Sequence, residues 1–245
     1  MALVNSREKQ GIFLFKYRGQ FPVILFVLAV PFLYYTKDPP FFEKQIWNYI
    51  ALSISVVGFL IRFYTIGTTP KGTSGRNRKE QIADYLNSTG IYSTVRLPLY
   101  LGNYLIWTGI AIFTYNIYFI IIMSLLFWIY YQRIMFAEER FLERKFGEEY
   151  INWSKGVPAF IPSFKNHTKT IIPLSVKSIL RREYAGVLAT VIGFVFVEVV
   201  RGFLKDGVLS IDPFYRNVLI VTILLVLLLR SLKHHTTILE EKDRS

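Results

Sequence analysis

The chain has 245 residues, with 29 Lys and Arg against 17 Asp and Glu, and no cysteine. The missing cysteine excludes disulfides, thiolate catalysis and Cys-ligated zinc. An apolar fraction of 52%, gathered into runs long enough to cross a bilayer, excludes an ordinary soluble domain. The net charge of +12 is then read as basic loops facing anionic lipid, rather than as a nucleic-acid surface.

The opening MALVNSREKQGIFLFKYRG is mixed polar, and no small-residue cleavage site follows the first apolar run, so no cleavable signal is expected. A first span is predicted over residues 21–35, extended backward by Ile12 to Phe15 and broken by Lys37-Asp38-Pro39-Pro40. A second covers 46–64, with Arg62 near its end. The Gly-, Ser- and cation-rich stretch that follows reads as a cytoplasmic loop with a short helix near Lys79 to Leu86.

A third span, 98–115, opens on a proline, which the first turn of a helix tolerates. Asn116 barely separates it from a fourth, 117–136, so the two form a tight antiparallel hairpin. The charged FAEERFLERKFGEEY of residues 136–150 continues as a helix leaving the membrane, and Trp153 with GVPAFIP suggests a segment at the interface. A polar, basic connector leads to a fifth span, 184–204, and a sixth, 214–232. In the fifth, Glu198 and Arg201 stand three apart on one face and neutralise each other.

The fold class is therefore an all-α polytopic bundle of about six transmembrane helices. It divides into 1–45, an N-terminal segment and first span; 46–164, a core; and 165–245, a connector, two further spans and a soluble tail. Counting residues at span ends with the loops they adjoin, 23 of the 29 Lys and Arg fall on one side, five on the other, and Arg62 lies inside. The excess of basic residues predicts that both termini and the Glu138–Glu139 stretch are cytoplasmic.

Two stretches carry chemistry. In RLPLYLGNYLIWTG, from Arg96, the proline starts a helix whose free N–H groups can meet an anion, and Gly102 and Gly109 let a ligand or a neighbouring helix approach. In the second, Glu138 and Glu139 arrive at the membrane edge, where carboxylates are costly without a cationic partner. Together they spell RxPxYxGN followed by EExxLxxxFGxxYxxWxxxVPxxIP. This pattern resembles the isoprenylcysteine carboxyl methyltransferase and phospholipid methyltransferase superfamily of integral membrane enzymes, over about Arg62 to Pro162.

The resemblance implies S-adenosylmethionine as methyl donor, bound at the cytoplasmic face. Arg96, Pro98, Tyr100 and Gly102 match the family's first cofactor motif, with Asn103 beside it, and Glu138 and Glu139 match the second. Paired carboxylates suit a donor that carries a sulfonium and an ammonium. One position departs: the family usually has histidine between the arginine and the proline, and Leu97 stands here. A related group with the same fold, membrane reductases that use a reduced nicotinamide dinucleotide, would want cations for the pyrophosphate. Arg133 favours that alternative and the glutamates oppose it. A non-catalytic membrane scaffold is the third class.

The acceptor is read from what the spans lack. His167, His234 and His235 fall in loops or the tail, so no span offers a base, whereas Arg62, Arg76 and Arg96 lie at head-group depth. Arginine's fork suits phosphate or carboxylate. The loop GTTPKGTSGRN resembles the bacterial branch of the superfamily, which includes enzymes acting on lipid head groups. The expected acceptor is thus an anionic head-group oxygen held by Arg62 and Arg96 in a bacterial cytoplasmic membrane. A prenylated cysteine carboxylate is the alternative.

Overall fold

Hydropathy and capping chemistry together set the helix boundaries. The computed structural model describes residues 2–73, 83–242 and 244. Among them are eight α-helices: α1 (Ala2–Lys16), α2 (Phe21–Tyr35), α3 (Phe41–Gly67), α4 (Pro98–Ile112), α5 (Ile117–Phe146), α6 (Glu148–Gly156), α7 (Val176–Asp206) and α8 (Pro213–His235). A single 3-10 turn, Gly90–Ser93, precedes α4. The described residues contain no strand.

All six expected spans are helical. Of these, α3, α5, α7 and α8 are long and apolar enough to cross a membrane, which makes this a multi-pass helical membrane protein. The apolar α2 and α4 have 15 residues each, about 22 Å against a hydrocarbon core of about 30 Å. The backward extension of span one is a separate helix, α1, set off from α2 by a turn at Tyr17–Gln20. Helix α7 starts eight residues before the predicted span. Ser175 caps it by accepting from the Ser178 N–H at 3.0 Å, and its charged first turns carry no hydropathy signal. Of the short helix expected near Lys79 to Leu86, residues 83–86 are not helical, and Lys79 to Ile82 lie outside the described residues, as does Arg76.

Close backbone approach fixes the pairing of α3 with α4. A Cβ at Gly58 would come 2.7 Å from the Gly102 carbonyl, and one at Gly102 would come 2.8 Å from that of Gly58. The glycine face seen in the sequence thus meets α3 rather than a ligand. Helix α1 runs antiparallel along the C-terminal half of α5, where a Cβ at Gly11 would collide with the Arg133 carbonyl. Tyr130 donates to the Leu14 carbonyl at 3.0 Å, and Arg144 pairs with Glu8 at 2.5 Å.

Each end of the bundle is tied by polar groups. At the end holding Asp38, Arg201 pairs with Glu198 at 2.9 Å, the neutralisation read from their spacing, and Asp38 adds contacts to Arg201, Lys44 and Lys205. The Arg201 guanidinium lies 4.1 Å from the ring of Tyr115, which has φ 59° in the α4–α5 turn. At the opposite end the C-terminal tail clasps the bundle. Arg244 donates to the Gly67 carbonyl at 3.1 Å and to that of Pro173, and Ser175 donates to Glu241.

Candidate functional site

The N-terminus of α4 is held by a segment that returns from α6. The Arg96 and Leu97 N–H groups donate to the Pro158 and Ala159 carbonyls at 2.9 and 3.2 Å, and the Ser163 N–H donates to Thr94 at 2.9 Å. The GVPAFIP stretch is therefore an extended strap across the first motif. Gly147, at φ 55°, makes the bend between α5 and α6 that directs the chain back; only glycine takes that conformation without strain.

Consecutive positions on a helix point about 100° apart, and Glu138 and Glu139 have different partners accordingly. Glu139 accepts from the Arg96 guanidinium at 2.8 and 2.9 Å, and Arg96 also donates to the Ser154 and Val157 carbonyls. Glu138 accepts from the Tyr100 hydroxyl at 2.7 Å and forms no ion pair among the described residues, although Arg18 is near enough to act on it electrostatically. Tyr100 is buried and packs on Tyr131, with ring centroids 5.4 Å apart.

Glu138 faces a cavity of about 520 Å³ between α3, α4, α5, α7 and the turn before α2. Its polar part is lined by Arg18, Tyr92, Arg96, Glu138, Trp153 and Arg182. Its apolar part, lined by Phe59, Ile106, Trp107, Ile110 and Ala189, continues along α4. Ile110 lies twelve residues beyond Pro98, about 18 Å down the helix. Among the residues predicted to hold a cofactor, Pro98, Tyr100, Asn103 and Glu138 line this cavity. Gly102 and Glu139 stand behind its wall, in the α3 contact and the Arg96 pair.

The two arginines expected to grip an acceptor do line the cavity, but their donors are already engaged. Arg62 makes a two-pronged pair with Glu183 at 2.7 and 2.8 Å and donates to Asn103 Oδ1 at 2.6 Å. Arg96 is held by Glu139. Arg133 bonds Gln10 and the Ile129 carbonyl on the α1 side, away from the cavity.

Arg18, Tyr92, Trp153, Arg182 and Glu183 are cavity residues that sequence reasoning did not assign to a site. For Glu183 a signal existed: an arginine inside an apolar span calls for a carboxylate at its own depth. The Trp153 indole N–H is buried with no acceptor among the described residues. Burial, and the Glu138 carboxylate beside it, push the Tyr92 phenol up to about 12.

Residues 46–149 match the family described as phospholipid methyltransferase. This central segment, which contains the first motif and the second as far as Glu149, is similar to that family of membrane methyltransferases. Protein-S-isoprenylcysteine O-methyltransferase of Schizosaccharomyces pombe is 27% identical over 129 residues, covering 49% of this chain and 55% of the relative. The nickel-cobalt-cadmium resistance protein NccN of Alcaligenes xylosoxydans xylosoxydans is 30% identical over 118 residues, covering 47% and 53%. The chain spans about half the length of both curated relatives. No solved structure matches significantly.

Proposed function

We propose that this protein transfers a methyl group from S-adenosylmethionine to an anionic oxygen of a membrane lipid. The observation that carries this reading is the Glu138 carboxylate, held by Tyr100, facing the cavity and forming no ion pair among the described residues. A carboxylate in so apolar a surround calls for a positive ligand. The cavity's chemistry fits the donor: Glu138 for the ammonium or sulfonium, Tyr92 and Tyr100 as aromatic faces, and the unsatisfied Trp153 N–H for an acceptor atom. Its volume lies within the usual range for small-molecule sites.

When bound, S-adenosylmethionine supplies a methyl group on a sulfonium, an electrophile that needs no activation by the protein. The chain's own residues orient and exclude water. Arg96 and Glu139 fix the α4 N-terminus against α5; Arg62, Glu183 and Asn103 fix α3, α4 and α7 around the cavity. We assign Arg62 and Arg96 as positioning residues. A poorly hydrated site favours a reaction in which opposite charges cancel.

The apolar continuation suits an acceptor with a hydrocarbon chain. The Schizosaccharomyces pombe relative favours, as second reading, a carboxylate at the end of an isoprenylated peptide. The Glu138 carboxylate in the cavity wall speaks against a nicotinamide pyrophosphate.

Calorimetry of S-adenosylmethionine binding to wild type, Glu138→Gln and Glu139→Gln tests the donor. Glu138→Gln is expected to weaken binding roughly 10- to 100-fold, the worth of a charged hydrogen bond, and Glu139→Gln less. Equal affinity for all three, or binding of a nicotinamide dinucleotide instead, would overturn the assignment. A gain of one methyl group by mass in lipid extracts of expressing cells would identify the acceptor.

A further inference from the structure

Pairing off the charges in the cavity leaves one arginine over. Arg62 is neutralised by Glu183 and Arg96 by Glu139, and Arg182 has a partner of its own. Arg18 lines the cavity from the turn between α1 and α2. Its guanidinium lies 4.0 Å over the Phe15 ring. Among the described residues it forms no ion pair and no side-chain hydrogen bond, although the Glu138 carboxylate lies within its electrostatic reach.

The turn that presents Arg18 is built rather than loose. The Tyr17, Arg18 and Gln20 N–H groups donate to the Leu14, Phe15 and Tyr17 carbonyls at 3.1, 3.4 and 2.9 Å. Phe15 is buried, and Tyr130 of α5 bonds the Leu14 carbonyl. The helix that carries Glu138 therefore also positions Arg18. This wall belongs to residues before 46, outside the segment matched to the methyltransferase family.

We propose that Arg18 is the anion-binding residue of the cavity and takes a carboxylate or phosphate group of a bound ligand. A guanidinium stacked on an aromatic ring keeps its planar edge of N–H donors for such a group. The inference rests on the methyltransferase reading for its ligands, where the anion is either the carboxylate of the donor or the head group of the acceptor. With Glu138 in the same cavity, the site then carries one group of each sign for a ligand set that also has both.

The test uses the full chain in phosphatidylcholine nanodiscs, as wild type, Arg18→Gln and Arg18→Lys, with thermal unfolding confirming that all three fold alike. Three probes are titrated: S-adenosylhomocysteine, 5′-methylthioadenosine, which lacks the amino-acid part, and dodecyl phosphate. If Arg18 holds the donor carboxylate, Arg18→Gln binds S-adenosylhomocysteine at least tenfold more weakly and methylthioadenosine unchanged. If it holds the head group, both nucleosides bind as before and dodecyl phosphate weakens at least tenfold. Arg18→Lys falls between in either case, because a point charge keeps part of the interaction. Equal binding of all three probes to wild type and Arg18→Gln would overturn the proposal, leaving an arginine that reaches for lipid phosphate. Loss of dodecyl phosphate binding in a protein whose wild type binds neither nucleoside would support the anion site and sink the methyltransferase reading instead. A wild type that binds none of the three would sink both.

Discussion

Leu97 occupies the position where related enzymes usually carry histidine, and it is 6% exposed, with its N–H bonded to the Ala159 carbonyl. No group there can take or give a proton. His167 lies in the exposed connector and His234 and His235 in the last turn of α8, so no histidine lines the cavity among the described residues. Tyr92 does not fill the gap, since its phenol is pushed up to about 12 by burial and by Glu138. A raised tyrosine pKa means that the fold favours the neutral phenol. Its contribution to stability is complete below the ordinary value of 10.0 and is lost as pH climbs through about 12. Several other tyrosines titrate late as well, so spectrophotometric titration of Tyr92→Phe should show the late tyrosinate absorbance reduced by one residue relative to wild type. Methyl transfer should stay flat from about pH 6 to 9, because an ionised phosphodiester or carboxylate needs no base. A rate rising tenfold per pH unit would point to an amine acceptor.

At the level of helices, the Arg62–Glu183 pair is the main cross-brace. Arg62 is 17% exposed and Glu183 3%, and Asn103 brings α4 into the same knot. Removing one partner strands the other charge, which costs about 3–5 kcal/mol. Thermal unfolding in detergent should therefore show Glu183→Gln strongly destabilised, with the double variant Arg62→Gln/Glu183→Gln less affected than the two single losses added together. Small, additive losses would mean that the pair is incidental. Much of this layer was legible: hydropathy placed the six apolar helices, and the spacing of Gly102 and Gly109 showed a face made for close approach. Spacing could not say whether a helix or a ligand approaches. The strap over residues 157–163 was illegible as such, since its hydrogen bonds depend on partners some 60 residues away. The early start of α7 was hidden because its charged first turns look like a loop.

For the molecule as a whole, the two tied ends agree with the charge asymmetry. Gly67, Ser175 and Arg244 meet at one end, and Asp38, Lys44 and Lys205 at the other. We expect the first to face the cytoplasm, since the basic excess lies there. The cysteine-free sequence permits a clean test with Asn166→Cys and Ser210→Cys, both at exposed positions. An impermeant maleimide added to intact cells should label the second and not the first; the reverse would invert the topology. Asn116 is a poor choice for labelling, because its side chain caps α5 and bonds Thr36 at 2.7 Å.

The cross-brace also has a history in time. Asn103 follows Arg62 by 41 residues and Glu183 by 121. At roughly 5–20 residues per second, the ribosome delivers the amide about 2–8 s after the arginine and the carboxylate about 6–24 s after it. Throughout that interval the nascent chain carries an unneutralised cation in an apolar helix, which must lean toward the lipid head groups to stay hydrated. A ribosome stalled before residue 183 would leave it leaning there, with the bundle unable to close.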